Sequence, residues 1–139
     1  MSEKLTRRDT REAVFLLLFQ NELTGEPVEE AADACKEAYE MAVNGEILKT
    51  AAAVTEKYGE FDEIIGKYSQ KREVSRISAI NKTILRLALY EMLYCPAVPA
   101  RVAVNEAVEL SKKYAEKQDS SFINGVLGNY MNDSGKNDE

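Results

Sequence analysis

Arginine side chains are grouped near the start of this chain and are followed by two phenylalanines. Guanidinium groups can hold phosphates, while aromatic rings can stack on unpaired bases. Helical steps of three and four residues place on one line Lys4, Arg7 or Arg8, Arg11, Phe15 and Phe19. This line predicts an RNA-binding edge. A solvated basic turn that leads into buried phenylalanines would give the same pattern.

A second group of cations lies near the middle of the chain and consists of Lys67, Lys71, Arg72 and Arg76. Their spacing could gather them on one side of a junction between a loop and a helix. Phosphate contacts there would add affinity and salt dependence without choosing a sequence. A solvated basic surface is the alternative. Residues 64–98 hold 6 bases and 2 acids, although the whole chain has a net charge of −6.

Amide side chains stand among apolar residues in the C-terminal third. Asn105 and Asn124 are predicted to have structural roles, because an amide among apolar neighbours needs a hydrogen-bonding partner and can join two helix ends. Phe122 follows a predicted helix cap at Asp119 or Ser120, where a large ring is often only partly covered. Its ring is a candidate for contact with RNA.

Histidine is absent from the chain. Nucleophilic mechanisms that use histidine and the usual zinc sites therefore do not apply. No cluster of carboxylates has a distinctive spacing, so we expect no catalytic site, metal site or cofactor. Cys35 and Cys95 lie far apart in apolar contexts and are expected to be buried free thiols.

The arrangement of apolar residues predicts helices throughout. Alanine, leucine, glutamate and lysine are abundant, prolines number 3, and no segment alternates as a strand would. We predict an all-α, compact, single-domain bundle of about six or seven helices over residues 1–132, with a polar, disordered tail at 133–139. The second helix is expected to run from Pro27 to Val43 and to stop at Asn44 and Gly45.

No apolar run is long enough to span a bilayer, and the charged N-terminus lacks the features of a secretory signal. We therefore expect a cytoplasmic protein that does not engage a membrane. Residues 20–63 hold 12 acids and 3 bases. That imbalance keeps open a helical adaptor that binds proteins without touching RNA.

Two C-terminal motifs resemble those of one protein family. The motif P-x-R-V-A-V-N-E-A-V-E-L-S-K-K-Y is followed by S-x-F-I-N-G-V-L, and LRLALYEM lies just upstream. Together they resemble the NusB family of bacterial transcription antitermination factors. The N-terminal segment RRDTREAVFLLLFQ is similar to the arginine-rich start of that family. It departs from the usual residues at Val14, Leu16 and Phe19, and Asn81 replaces an acid found in some relatives.

The resemblance implies an all-helical RNA-binding adaptor that performs no chemistry. Family members pair with the ribosomal protein NusE and bind single-stranded boxA RNA in ribosomal RNA leaders, which anchors a complex on the elongating polymerase. The residues implied to face RNA are Arg7, Arg8, Arg11, Phe19, Arg72, Gln118, Ser121 and Phe122. The residues implied to face the protein partner are Arg76, Asn81 and Lys82.

Other interpretations stay open at this point. Certain ribosomal RNA methyltransferases begin with a domain similar to NusB, so the chain could be such a domain on its own. A homodimer could also cover an exposed edge formed by Phe15, Phe19 and Phe122.

Overall fold

The computed structural model describes residues 5–69 and 73–135, which form seven α-helices and no β-strand. The prediction of an all-α fold is therefore confirmed. The helices belong to two compact units, one ending at Glu56 and the other beginning at Lys57. A single domain over 1–132 stays a prediction. None of the helices in these two described ranges is long and apolar enough to cross a membrane.

The first unit contains three helices. They are α1 (Arg7–Thr24), α2 (Val28–Tyr39) and α3 (Gly45–Thr55). Gly25 ends α1 in the left-handed conformation with φ 78°, and its N–H donates to the carbonyl of Asn21 at 2.8 Å. Glycine adopts this conformation without a steric cost. The next helix begins only three residues later, so α1 and α2 form an antiparallel hairpin.

The end of α2 differs from the sequence prediction. The helix stops at Tyr39, because Glu40 adopts the left-handed conformation with φ 50° and turns the chain. Asn44 does not end α2. Its Oδ1 atom accepts a hydrogen bond from the N–H of Ile47 at 2.8 Å and so caps the start of α3. Asparagine suits both roles, which is why the sequence alone misplaced this boundary.

The second unit contains four helices and one short 3-10 turn. They are α4 (Tyr58–Tyr68), the turn Val74–Arg76, α5 (Ala79–Tyr94), α6 (Ala100–Tyr114) and α7 (Asp119–Ser134). Its core includes the fully buried side chains of Phe61, Ile65, Leu85, Leu89 and Leu127. α7 extends into the predicted tail as far as Ser134, and residues 136–139 lie outside the described residues.

A partly buried ion pair joins α4 to α5. The guanidinium of Arg86 donates to both carboxylate oxygens of Asp62 at 2.7 and 2.8 Å, and it lies 3.8 Å from the ring centre of Tyr58. Only 6% of Arg86 is exposed. Arg86 therefore serves the packing of this unit and does not belong to the basic surface predicted around it.

Both cysteines are free. Cys35 is buried, as predicted, and burial raises the pKa of its thiol. Cys95 is only partly buried, because it follows the last residue of α5. The prediction of two buried thiols is therefore correct for Cys35 alone.

Candidate nucleic-acid interface

The start of α1 is fixed by a reciprocal cap. Thr6 Oγ1 accepts a hydrogen bond from the N–H of Asp9 at 2.9 Å, and Asp9 Oδ2 accepts one from the N–H of Thr6 at 3.2 Å. Such a capping box satisfies two N–H groups that a helix start would otherwise leave unpaired. Asp9 thus stands between the arginines as part of the cap.

The arginines follow directly in the first turns of α1. Arg7 and Arg8 are exposed and Arg11 is half-buried, while Arg8 and Arg11 also interact within the protein. Cations at a helix N-terminus oppose the helix dipole at a cost of about 0.3–1 kcal/mol each. An external anion such as a phosphate would offset this cost. Lys4, which the sequence places on the same line, lies outside the described residues.

The aromatic half of the predicted line is only partly correct. Phe15 is completely buried, so the prediction that its ring belongs to an exposed edge is wrong. Its ring lies parallel to that of Phe19, with centres 6.0 Å apart. Phe19 keeps part of its surface exposed and remains a candidate for contact with a base. Helical spacing placed the two rings on one face without showing how deeply that face is covered.

The C-terminal candidates lie together at the start of α7. Gln118 and Ser121 are exposed, and Phe122 is half-buried, within one turn of helix. The predicted cap at Asp119 or Ser120 is wrong, because α7 begins at Asp119 and Gln118 occupies the cap position without a side-chain hydrogen bond. Asp119 instead accepts from the N–H of Glu116 at 3.1 Å.

The residues predicted to meet a protein partner differ in accessibility. Arg76 is exposed in the short turn before α5, and Lys82 is half-buried. Asn81 is only 2% exposed, and its Oδ1 atom makes no hydrogen bond within the described residues. Of the predicted basic segment, Lys67 is exposed as well, whereas Lys71 and Arg72 lie outside the described residues.

Asn105 and Asn124 do not have the positions that the sequence predicted. Both are exposed, on α6 and α7 respectively, so neither amide is buried between helix ends. The error has a simple physical origin. Each asparagine stands beside apolar residues in the sequence, but successive residues of a helix point in different directions.

The RNA candidates are thus divided between the two units. The first contributes Arg7, Arg8, Arg11 and Phe19, and the second contributes Gln118, Ser121 and Phe122. Among the residues that the structure describes, no three histidines, cysteines or carboxylates are grouped so that they could hold a metal ion. The accessible groups of these candidates are guanidiniums, an amide, a hydroxyl and parts of two rings.

Comparison with known proteins places the chain among relatives of one kind. The model of the NusB family matches residues 8–132. The transcription antitermination protein NusB of Acetivibrio thermocellus is 40% identical over 124 residues, which are 88% of this chain and 86% of that protein. The protein of the same name from Clostridium acetobutylicum is 37% identical over 132 residues, which are 94% and 98% of the two chains.

Solved structures agree with the sequence relatives. NusB of T. maritima superposes with a TM-score of 0.80 at 28% identity, covering 96% of this chain and 98% of that one. NusB in a complex of the antitermination factors NusB and NusE with double-stranded RNA superposes with a TM-score of 0.79 at 25% identity, covering 91% and 96%.

Proposed function

Because the chain belongs to the NusB family, we propose that it is a transcription antitermination factor that binds RNA together with the ribosomal protein NusE. The family match over residues 8–132 is the observation that carries this proposal. The relatives described above are named for antitermination, and we propose that the chain acts as an adaptor without a chemical step. Its place of action would be the cytoplasm, where nascent RNA is available.

The RNA that we propose is the single-stranded boxA element of ribosomal RNA leaders. The related NusB–NusE complex was solved with double-stranded RNA. The part-exposed rings of Phe19 and Phe122 favour unpaired RNA here, because a ring can stack only on a base that is free of its neighbours. The proposed surface consists of Arg7, Arg8, Arg11, Phe19, Arg72, Gln118, Ser121 and Phe122.

A protein partner has a clear physical purpose in this proposal. The chain is acidic overall, with a net charge of −6, and its arginine group is small. Such a surface should bind RNA weakly, and a second protein would extend it. We place the NusE contact at Arg76 and Lys82. Asn81 is buried and would not contact NusE directly, so its role would be to hold the neighbouring backbone of this edge in place.

Exchanging Arg8 and Arg11 for alanine tests the RNA-binding proposal. We expect the double variant to bind a boxA-like RNA oligonucleotide about tenfold more weakly, and the slope of log affinity against log salt to fall by about 1.4, since two phosphate contacts are lost. Filter binding at several salt concentrations measures both quantities.

The matched control removes Lys49 and Lys112, two exposed cations outside the proposed surface. This control variant lowers the net charge by the same amount as the Arg8 and Arg11 variant, and it should leave the salt slope unchanged. Equal losses in the two double variants would show that only total charge matters, and the assignment would fail. Retained binding of NusE without any RNA binding would instead support the protein-only adaptor, which the 12 acids and 3 bases of residues 20–63 favour.

A further inference from the structure

Tyr39 is the most exposed aromatic side chain of the first unit. Residues 5–56 contain three aromatic side chains: Phe15 is completely buried, Phe19 is partly covered, and Tyr39 is 41% exposed. Exposed tyrosines are common on binding surfaces, because one end of the ring is apolar and the other polar. Tyr39 is the last residue of α2.

Tyr39 continues the apolar stripe of α2 past the last buried residue of that stripe, Cys35. Val28, Ala32 and Cys35 recur at steps of four and three residues, and each is at most 5% exposed. Tyr39 follows after four more residues, on the same side of the helix. Glu40 then turns the chain away in the left-handed conformation. The ring therefore stands where the packed stripe ends.

The hairpin places Tyr39 toward the arginine end of α1. Because α1 and α2 run antiparallel, the C-terminal end of α2 lies toward the N-terminal end of α1. Cys35 Sγ lies 3.9 Å from the carbonyl oxygen of Leu16. Cys35 of α2 and Leu16 of α1 are therefore at the same height along the hairpin. One turn beyond Cys35 is Tyr39, and one turn before Leu16 is Glu12, next to Arg11.

The charges nearest to Tyr39 are of both signs, since Lys36 lies three residues before it and the exposed Glu40 directly follows it. Lys36 precedes Tyr39 by three residues and lies on the same side of the helix. Its ammonium pairs with Asp33 at 3.6 Å, but both side chains are largely in water, where such a pair is weak. Glu37 precedes Tyr39 by two residues, which turns its side chain about 200° away.

We propose that Tyr39 is a base-stacking residue of the RNA surface. An unpaired base stacks on its ring while the α1 arginines hold phosphates of the same strand. This inference rests on the proposed RNA-binding function. It gives the arginine end of α1 the exposed ring that buried Phe15 cannot supply.

A single tryptophan provides a direct test, because the chain contains none. Tyr39→Trp should lose fluorescence when a boxA-like single-stranded RNA oligonucleotide is added, since a stacked base quenches the indole. Leu23→Trp is the matched control. Leu23 is 59% exposed near the other end of α1, and its replacement should not respond to the RNA.

Affinity provides the second readout. Tyr39→Ala should weaken RNA binding about tenfold, whereas the salt slope should not change because no phosphate contact is lost. Tyr39→Phe should bind within about twofold of the original chain because the ring remains, and Leu23→Ala should bind unchanged.

The two proposals can fail separately. If Tyr39→Ala binds RNA as Leu23→Ala does while the Arg8 and Arg11 variant is weakened, the stacking role is wrong and the RNA-binding function stands. If the arginine variant also binds normally, the proposed RNA surface is wrong. If Tyr39→Ala weakens NusE binding in the absence of RNA, Tyr39 belongs to a protein contact, which also overturns the stacking role.

Discussion

Individual residues were predicted well where their type alone decides their environment. The guanidiniums of Arg7 and Arg8 are exposed, as charged groups at a helix start should be. The sequence was misleading for Phe15, because apolar spacing shows which face of a helix a residue occupies and not how deeply that face is covered. In the first unit, the structure buries the ring of Phe15 and exposes that of Tyr39.

Arg86 shows the same limit for a charged residue. In the sequence it counts as one of the bases of residues 64–98, yet the structure buries it against Asp62 and Tyr58. A partner 24 residues away is not visible in helical spacing. Arg86 therefore contributes to the stability of the second unit, and the count of 6 bases in residues 64–98 includes one cation that is buried.

Replacing Arg86 by methionine should destabilise the protein by about 2 kcal/mol, because Asp62 loses its bidentate partner. This loss of stability is smaller than for a fully buried ion pair, because the Asp62 side chain is 31% exposed. Urea unfolding followed by circular dichroism measures this change. Arg76→Met, at an exposed cation of the same unit, should shift stability by no more than about 0.5 kcal/mol. Equal effects of the two changes would contradict the role of the ion pair.

At the scale of helices, the sequence predicted α-helices throughout but not the short 3-10 turn Val74–Arg76. α6 begins at Ala100, directly after Pro99, and α1 ends at Thr24, directly before Gly25. The end of α2 was missed because Glu40 adopts a conformation that its residue type disfavours.

Glu40→Gly should stabilise the protein by about 0.5–1 kcal/mol, because glycine adopts the left-handed conformation at no steric cost. Glu37→Gly is the matched control, with the same change of charge inside α2, and should destabilise by about 1 kcal/mol. Thermal unfolding of the two variants should therefore shift in opposite directions. A loss of stability in Glu40→Gly would show that the carboxylate of Glu40 contributes more than its backbone costs.

For the whole molecule, the all-α fold was predictable because helical periodicity extends along nearly the entire chain. The division into two compact units was not, since α3 and α4 are separated by only two residues, Glu56 and Lys57, without the glycine and proline that often mark a linker. The proposed RNA residues come from both units.

The charge of the whole molecule makes RNA binding dependent on few contacts. A net charge of −6 repels a polyanion at low salt, where screening is weak. Selective binding must then come from the arginines, the exposed rings and the added surface of NusE. Self-association stays a prediction, and sedimentation at several protein concentrations, with and without RNA, would show whether a dimer competes with RNA for this surface.

The most direct measurement compares a boxA-like RNA with a scrambled RNA of equal length, with and without purified NusE. Filter binding at near-physiological salt gives the four affinities. We expect weak and similar binding of both RNAs by the chain alone, and at least about tenfold preference for the boxA-like RNA when NusE is present, because base contacts and not phosphate contacts distinguish the two. Equal affinity for both RNAs in the presence of NusE, or no binding of either, would contradict the proposed function.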